Sequence, residues 1–189
     1  MSHLEIVGVV SGIVSVWLTT RQNIWCWPVG LVNVAAYAMV FHSARLYADM
    51  VLQGVYAALA VWGWYRWLHG GEGGASLRVS RTPGSILAMM AAAGLLFSLG
   101  LGLFLERVTD DAVPFWDATT TTFSLAATFM QTRKWLENWI VWIAVDIGLV
   151  AKYAWSGLWP TSGLFCAFLG LAILGLFEWR RSLRSGGTS

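Results

Sequence analysis

Apolar residues come in runs of about twenty along this chain, and polar residues gather at the breaks between them. A membrane-crossing helix needs about 20 predominantly apolar residues. On that scale seven segments emerge, roughly 4–20, 24–42, 46–68, 84–105, 113–131, 135–154 and 159–179. Most joints are a few residues long, so consecutive helices must run straight back through the bilayer. The exception, Gly70–Pro83, is rich in Gly, Ser and Arg and reads as a loop. Pro83, Pro114 and Pro160 stand at segment starts, where a missing N–H is harmless, and Pro28 stands in the first turns of the second segment. The expected fold is an all-α integral membrane protein of seven transmembrane helices.

Composition sharpens this picture. Of 189 residues, 57% are hydrophobic and only 12% charged, about half the usual charge of a soluble domain. A net charge of +2 gives no reason to expect nucleic acid as a partner. Lipid is the expected environment. Cys26 and Cys166 lie in apolar stretches, without CxxC or histidine at ligand spacing, and read as small core residues. The first twenty residues lack a basic n-region and carry Glu5, so no cleaved signal peptide is expected.

The positions of the twelve Lys and Arg decide the orientation. With seven spans, one side holds Arg45, Arg107 and Lys152. The other holds Arg21, Arg66, Arg78, Arg81, Arg133, Lys134, Arg180, Arg181 and Arg184. The richer side belongs in the cytoplasm. The expected placement is in an inner membrane, N-terminus outside and C-terminus inside.

Shifting the chain against itself by 112 residues pairs 5–69 with 117–181 without a gap. Ten positions are then identical, among them Thr20/Thr132, Arg21/Arg133, Trp27/Trp139, Gly63/Gly175 and Trp67/Trp179. The Ala, Val and Leu matches carry little weight in so apolar a chain; the Thr-Arg and Trp pairs carry more. The repeat joins helices 1–3 (4–68) to helices 5–7 (113–181) and leaves the fourth (84–105) as a linker. Four spans separate equivalent helices, so both halves run the same way. That is a 3+1+3 parallel repeat about an axis along the membrane normal, the SWEET-like arrangement, with a substrate site expected between the halves.

Polar groups inside spans default to a pathway or binding site. Asn33 and Tyr37 share one face of the second helix, and Asp49, Gln53 and Tyr56 one face of the third. Asp117, Thr120, Ser124 and Thr128 line the fifth, next to Trp116, and Trp139, Trp142 and Asp146 line the sixth; Asp49 and Asp117 lie within a turn or two of the outer interface, where solvation is the alternative to a site role. Ser124 and Thr128 divide evenly between lining a site and bonding their own helix. Asp146 sits mid-span and needs a partner or a ligand; Lys152, six residues on, points from another face. An aromatic wall beside a buried carboxylate suits a flat cationic ring. Among the thirteen Trp, Trp62, Trp64, Trp67 and Trp179 flank basic helix ends and read as headgroup-belt residues.

Enzyme motifs are missing: the sequence has no HExxH, CxxC, GxSxG or Walker A pattern, and its three His are far apart. No cofactor, metal or catalytic role is expected, and ATP-driven transport by this chain alone is excluded.

The stretch from Leu46-Tyr47-Ala48-Asp49-Met50 through Gln53 and Tyr56 to Gly63-Trp64-Tyr65 resembles the PnuC family of bacterial vitamin transporters. Pro114-Phe115-Trp116-Asp117-Ala118 with its Thr run resembles it too. So do Glu137-Asn138-Trp139-Ile140 with Trp142 and Asp146, and Gln22-Asn23-Ile24-Trp25 to Trp27-Pro28-Val29-Gly30 with Asn33. The resemblance covers nearly the whole chain, in order. It implies facilitated uptake of nicotinamide riboside, with thiamine and riboflavin branches as alternatives, by a SWEET-like homotrimer whose substrate a cytoplasmic kinase then traps. The expected partner is therefore a small cationic vitamin precursor. Asn33, Gln53 and Tyr56 would bond its polar groups, Trp139 and Trp142 would stack its ring, and Asp146 would supply the counter-charge. Tyr37, Trp116, Asp117 and Thr120 complete the expected lining. A small channel or membrane assembly subunit, whose polar faces only hold helices together, is the rival of another class.

Overall fold

The computed structural model describes residues 3–110 and 112–185. Seven α-helices occur in these residues: α1 (His3–Thr20), α2 (Cys26–Ser43), α3 (Tyr47–His69), α4 (Gly84–Val108), α5 (Pro114–Thr132), α6 (Asn138–Trp155) and α7 (Trp159–Ser185). They coincide with the seven expected segments. Pro114 occupies the first turn of α5, Pro160 that of α7 and Pro28 that of α2, where no helical carbonyl needs their N–H.

By length and composition α1, α4 and α7 are apolar enough to cross a membrane, with mean hydropathies of 1.5, 2.2 and 1.9. The other four are long enough, at 18 to 23 residues, but carry the polar and aromatic faces noted above. At 1.5 Å per residue even the shortest spans about 27 Å.

Six helices close a ring. Neighbours pack in the order α1, α2, α3, α5, α6, α7 and back to α1, while α4 lies outside against α5. The geometry recurs at one offset. Helices α2 and α6 start 112 residues apart, at Cys26 and Asn138, and so do α3 and α7, at Tyr47 and Trp159. The turns recur as well. Gln22 and Lys134 both adopt left-handed backbone (φ 54 and 50), as do Arg45 and Gly157 (φ 60 and 73). Each left-handed residue lets the next N–H reach back to close the helix end. Asn23 bonds Leu18 O at 3.0 Å, and Trp135 bonds Met130 O at 3.1 Å.

The core gathers at the end bearing the α1–α2 and α5–α6 turns, called here the basic end because Arg21, Arg66, Arg133, Lys134 and Arg180 lie on it. Trp27 packs edge-on against Trp67 with ring centroids 5.3 Å apart, and Trp139 against Trp179 at 5.4 Å. Trp67 and Trp179 touch each other at 5.8 Å, joining the two pairs. Each of these two central indoles donates to the opposite half of the chain: Trp67 Nε1 to Gln131 O at 2.9 Å, and Trp179 Nε1 to Thr19 O at 3.0 Å. The sequence expectation for these two residues was therefore wrong. Trp67 is 2% and Trp179 0% exposed, so they are core residues and not headgroup anchors. Their neighbours Trp62 and Trp64 do face outward, as expected.

The 70–83 connection contains one 3₁₀ turn, Glu72–Gly74, and then runs as an extended strap over the α5–α6 turn. Ser80 N bonds Lys134 O at 3.1 Å and Leu136 N bonds Ser80 O at 2.9 Å, a single parallel bridge. Lys134 Nζ donates to Leu77 O at 2.9 Å and sits 4.4 Å above the Trp67 ring. Burial pushes the Lys134 ammonium below the ordinary lysine range. The Glu137 carboxylate accepts both the N–H and the hydroxyl of Thr82, at 2.7 and 2.8 Å.

Candidate functional site

The ring of six helices encloses a cavity of about 580 Å³, within the usual range for small-molecule sites. Its floor, at the basic end, is the Trp27/Trp139 pair. Both indoles need glycine behind them. A Cβ on Gly63 would come within 2.3 Å of Trp27, and one on Gly175 within 2.5 Å of Trp139. The walls rise from there past Trp142, Asp146, Gln53 and Tyr56 to Tyr37 and Phe41 at the opposite end.

Helix α6 supplies the charge. Trp139, Trp142 and Asp146 fall at i, i+3 and i+7, and all three line the cavity. Asp146 is 4% exposed and has no hydrogen bond or ion pair among the described residues. Among the described residues it is also the only Asp, Glu, Lys, Arg or His in the cavity lining. A carboxylate removed from bulk water with no protein cation beside it favours a cationic guest.

The polar groups divide into free and committed ones. Asn33 Nδ2 donates to Gly8 O at 2.6 Å, so half of its amide ties α2 to α1 and its carbonyl remains available. Tyr56 and Ser124, from opposite halves of the chain, both line the cavity. Thr128 donates to Ser124 O at 2.8 Å, in its own helix, although both residues line the cavity. Tyr37 stacks on Phe41 with centroids 5.9 Å apart.

Seven of the expected site residues therefore converge: Asn33, Tyr37, Gln53, Tyr56, Trp139, Trp142 and Asp146. Trp116, Asp117 and Thr120 do not join them. Asp117 lies in the first turn of α5, where Lys152 from the last turn of α6 reaches it and forms an ion pair. Thr120 bonds Trp116 O and Asp117 O, and with the 45%-exposed Trp116 it lines a separate, mostly apolar groove between α5 and α6. Asp49 lies in the exposed first turn of α3 and does not line the cavity either. The sequence reading missed Trp27 and Gln131, which line the cavity floor. The identical Trp27/Trp139 and Gly63/Gly175 pairs held the signal for Trp27. Gln131 had none.

If the cavity binds a flat ring, Trp142→Ala is expected to weaken binding about 10-fold, the worth of one stacking wall. Trp62→Ala, on the outer surface, should leave it unchanged. Equal effects in a titration of purified protein would remove Trp142 from the site.

Comparison with known proteins agrees with this architecture. A family model described as "Nicotinamide mononucleotide transporter" matches residues 2–181. The chain is 25% identical to the nicotinamide riboside transporter PnuC of Escherichia coli K12, covering 100% of this chain and 89% of that one. It is 27% identical to the riboflavin/roseoflavin transporter RibM of Streptomyces davaonensis, over 93% and 83% of the two chains. A crystal structure of the vitamin B3 transporter PnuC superposes with a TM-score of 0.76 at 22% identity, covering 96% of this chain and 82% of that one. The chain is thus a transporter and not an enzyme, a multi-pass protein of the inner membrane, and belongs to the family described as nicotinamide mononucleotide transporters.

Proposed function

We propose that this protein is a uniporter carrying nicotinamide riboside inward by facilitated diffusion. The observation that carries this reading is the unpartnered Asp146 beside Trp139 and Trp142 in an otherwise uncharged cavity. A nicotinamide ring in riboside form is a flat cation, matching both features. The family description names the mononucleotide, but a phosphate calls for Lys, Arg or backbone nests. Among the described residues the lining offers one carboxylate and no basic side chain, which favours the nucleoside. In this reading Asn33, Gln53 and Tyr56 bond the ribose and amide, Tyr37 lines the entrance, and Trp139 and Trp142 hold the ring.

The offset of 112 residues in helix starts and turns, with the reciprocal bonds of Trp67 and Trp179, supports a parallel 3+1+3 duplication of SWEET-like form, with all seven helices spanning the bilayer. The gathering of nine Lys and Arg at one end favours an outside N-terminus. The exposed groove at Trp116 and Ile140 offers a surface for the homotrimer that the family resemblance implies.

A cation needs no coupling ion, because an inside-negative potential contributes about 2.3 kcal/mol per charge per 100 mV. In ATP-free vesicles, nicotinamide riboside is expected to accumulate about 10-fold for each ~60 mV imposed. Uptake that ignores the potential would remove the uniport of a cation. The similarity to RibM supports a second reading, riboflavin, which is uncharged and flat. Its accumulation would ignore the potential, so one vesicle experiment with both labelled vitamins separates the two.

A further inference from the structure

The two halves match in their turns and indoles, but they are not held alike. On the basic end the α5–α6 turn is clamped from outside its own helices. The strap bonds it through Ser80, Leu77 and Thr82, and α4 packs along α5. The equivalent α1–α2 turn has no strap. Among the described residues, its tie to the rest of the molecule by hydrogen bonding is Trp179 Nε1 to Thr19 O.

Within itself the α1–α2 hairpin is tightly joined. Asn33 Nδ2 bonds Gly8 O, and Ser15 Oγ bonds Cys26 O at 2.8 Å. Glycines let the helices approach: a Cβ on Gly8 would meet the Tyr37 ring at 2.9 Å. A unit stiff inside, and held to α3 and α7 by packing with little hydrogen bonding, can move as a rigid body. The closed floor also leaves something unsatisfied. The indole N–H groups of Trp27 and Trp139 are buried without a partner, so this arrangement is not the one that best satisfies them.

We infer that the floor of the cavity opens toward the basic end by a swing of the α1–α2 hairpin, carrying Trp27 off Gly63, while the 70–83 strap keeps the α5–α6 hairpin and Trp139 fixed. The stacking wall and Asp146 then stay on the stationary half throughout transport, and the departing Trp27 uncovers the route. This assignment rests on the cavity being the transport site.

The protein carries a reporter for it. Cys26 is a buried thiol on the floor, on the moving hairpin, and its counterpart across the repeat is Asn138. The experiment uses C166S protein in inside-out vesicles, a membrane-impermeant maleimide outside, and saturating nicotinamide riboside. Alkylation of Cys26 is expected to rise about 5-fold or more with ligand, as a gate populated in a minor state opens. The N138C variant in a C26S/C166S background should stay unreactive, and adding T82V and E137Q to it should bring its rate toward that of Cys26. Labelling of N138C as fast as Cys26, or no response to loss of the strap, overturns the inference. Hydrogen exchange on the unmodified protein decides the same question if N138C does not fold. Residues 20–25 should exchange about 10-fold faster than 132–137, and equal rates overturn the asymmetry. Substrate identity is read separately by ligand-induced thermal stabilisation: no shift removes the nicotinamide riboside reading, while the exchange comparison, which needs no ligand, still decides the hinge.

Discussion

Asp146→Asn is expected to weaken nicotinamide riboside binding about 100-fold, the value of a charge-assisted contact worth about 2–3 kcal/mol in a site shielded from water. The substitution keeps the shape of the side chain and removes only its charge. No protein cation depends on it, because Asp146 has no ion pair among the described residues. Fold stability should therefore hold or rise, since an isolated buried carboxylate is costly in the empty protein. The same change should leave riboflavin binding nearly untouched. Calorimetric titration of the purified variant with both vitamins checks the claim. An unchanged affinity for nicotinamide riboside would mean that Asp146 is not the counter-charge.

Gly63→Ala and Gly175→Ala should each destabilise the protein by about 3 kcal/mol, at the upper end of overpacking costs. The new methyl would have to share space with an indole at 2.3 or 2.5 Å, and neither ring can retreat while the floor is closed, because each packs edge-on against a second Trp. For a chain of this size the melting temperature should fall by about 6–12 °C. Gly54→Ala is the control: nothing lies within 4 Å of a Cβ there, and alanine is the better helix former. A thermal scan showing Gly54→Ala and Gly175→Ala alike would remove the wedge of Trp139 on Gly175.

These glycines also explain how far the sequence could be read. Seven helices were legible because apolar runs of about twenty residues are hard to produce otherwise. Helical spacing set Asn33 on one face of its helix, Gln53 and Tyr56 on another, and Trp139, Trp142 and Asp146 on a third; that these faces meet was implied by the repeat and by the family resemblance. Trp67 and Trp179 were misassigned because a tryptophan beside arginine at a helix end looks the same whether it meets headgroups or another helix. Only the partner differs, and the partner, Gln131 O or Thr19 O, is a backbone atom of a distant segment. The identities at the 112-residue offset already held the answer. Trp27/Trp139, Gly63/Gly175 and Trp67/Trp179 recur because each indole needs its glycine and its neighbour. Asp117 was beyond reach for another reason. Its partner Lys152 lies 35 residues away, and periodicity cannot say which of two outer-turn residues will meet. The strap was legible as a loop, but its clamp on Lys134 and Glu137 was not.

The continuous contact of Trp27, Trp67, Trp179 and Trp139, each ring 5.3–5.8 Å from the next, has an optical consequence. Four chromophores so close and so rigidly angled exchange excitation and share a chiral near-ultraviolet signature. The molecule is thus self-labelled at its basic end, where ring separation changes fluorescence and dichroism before any dye is attached.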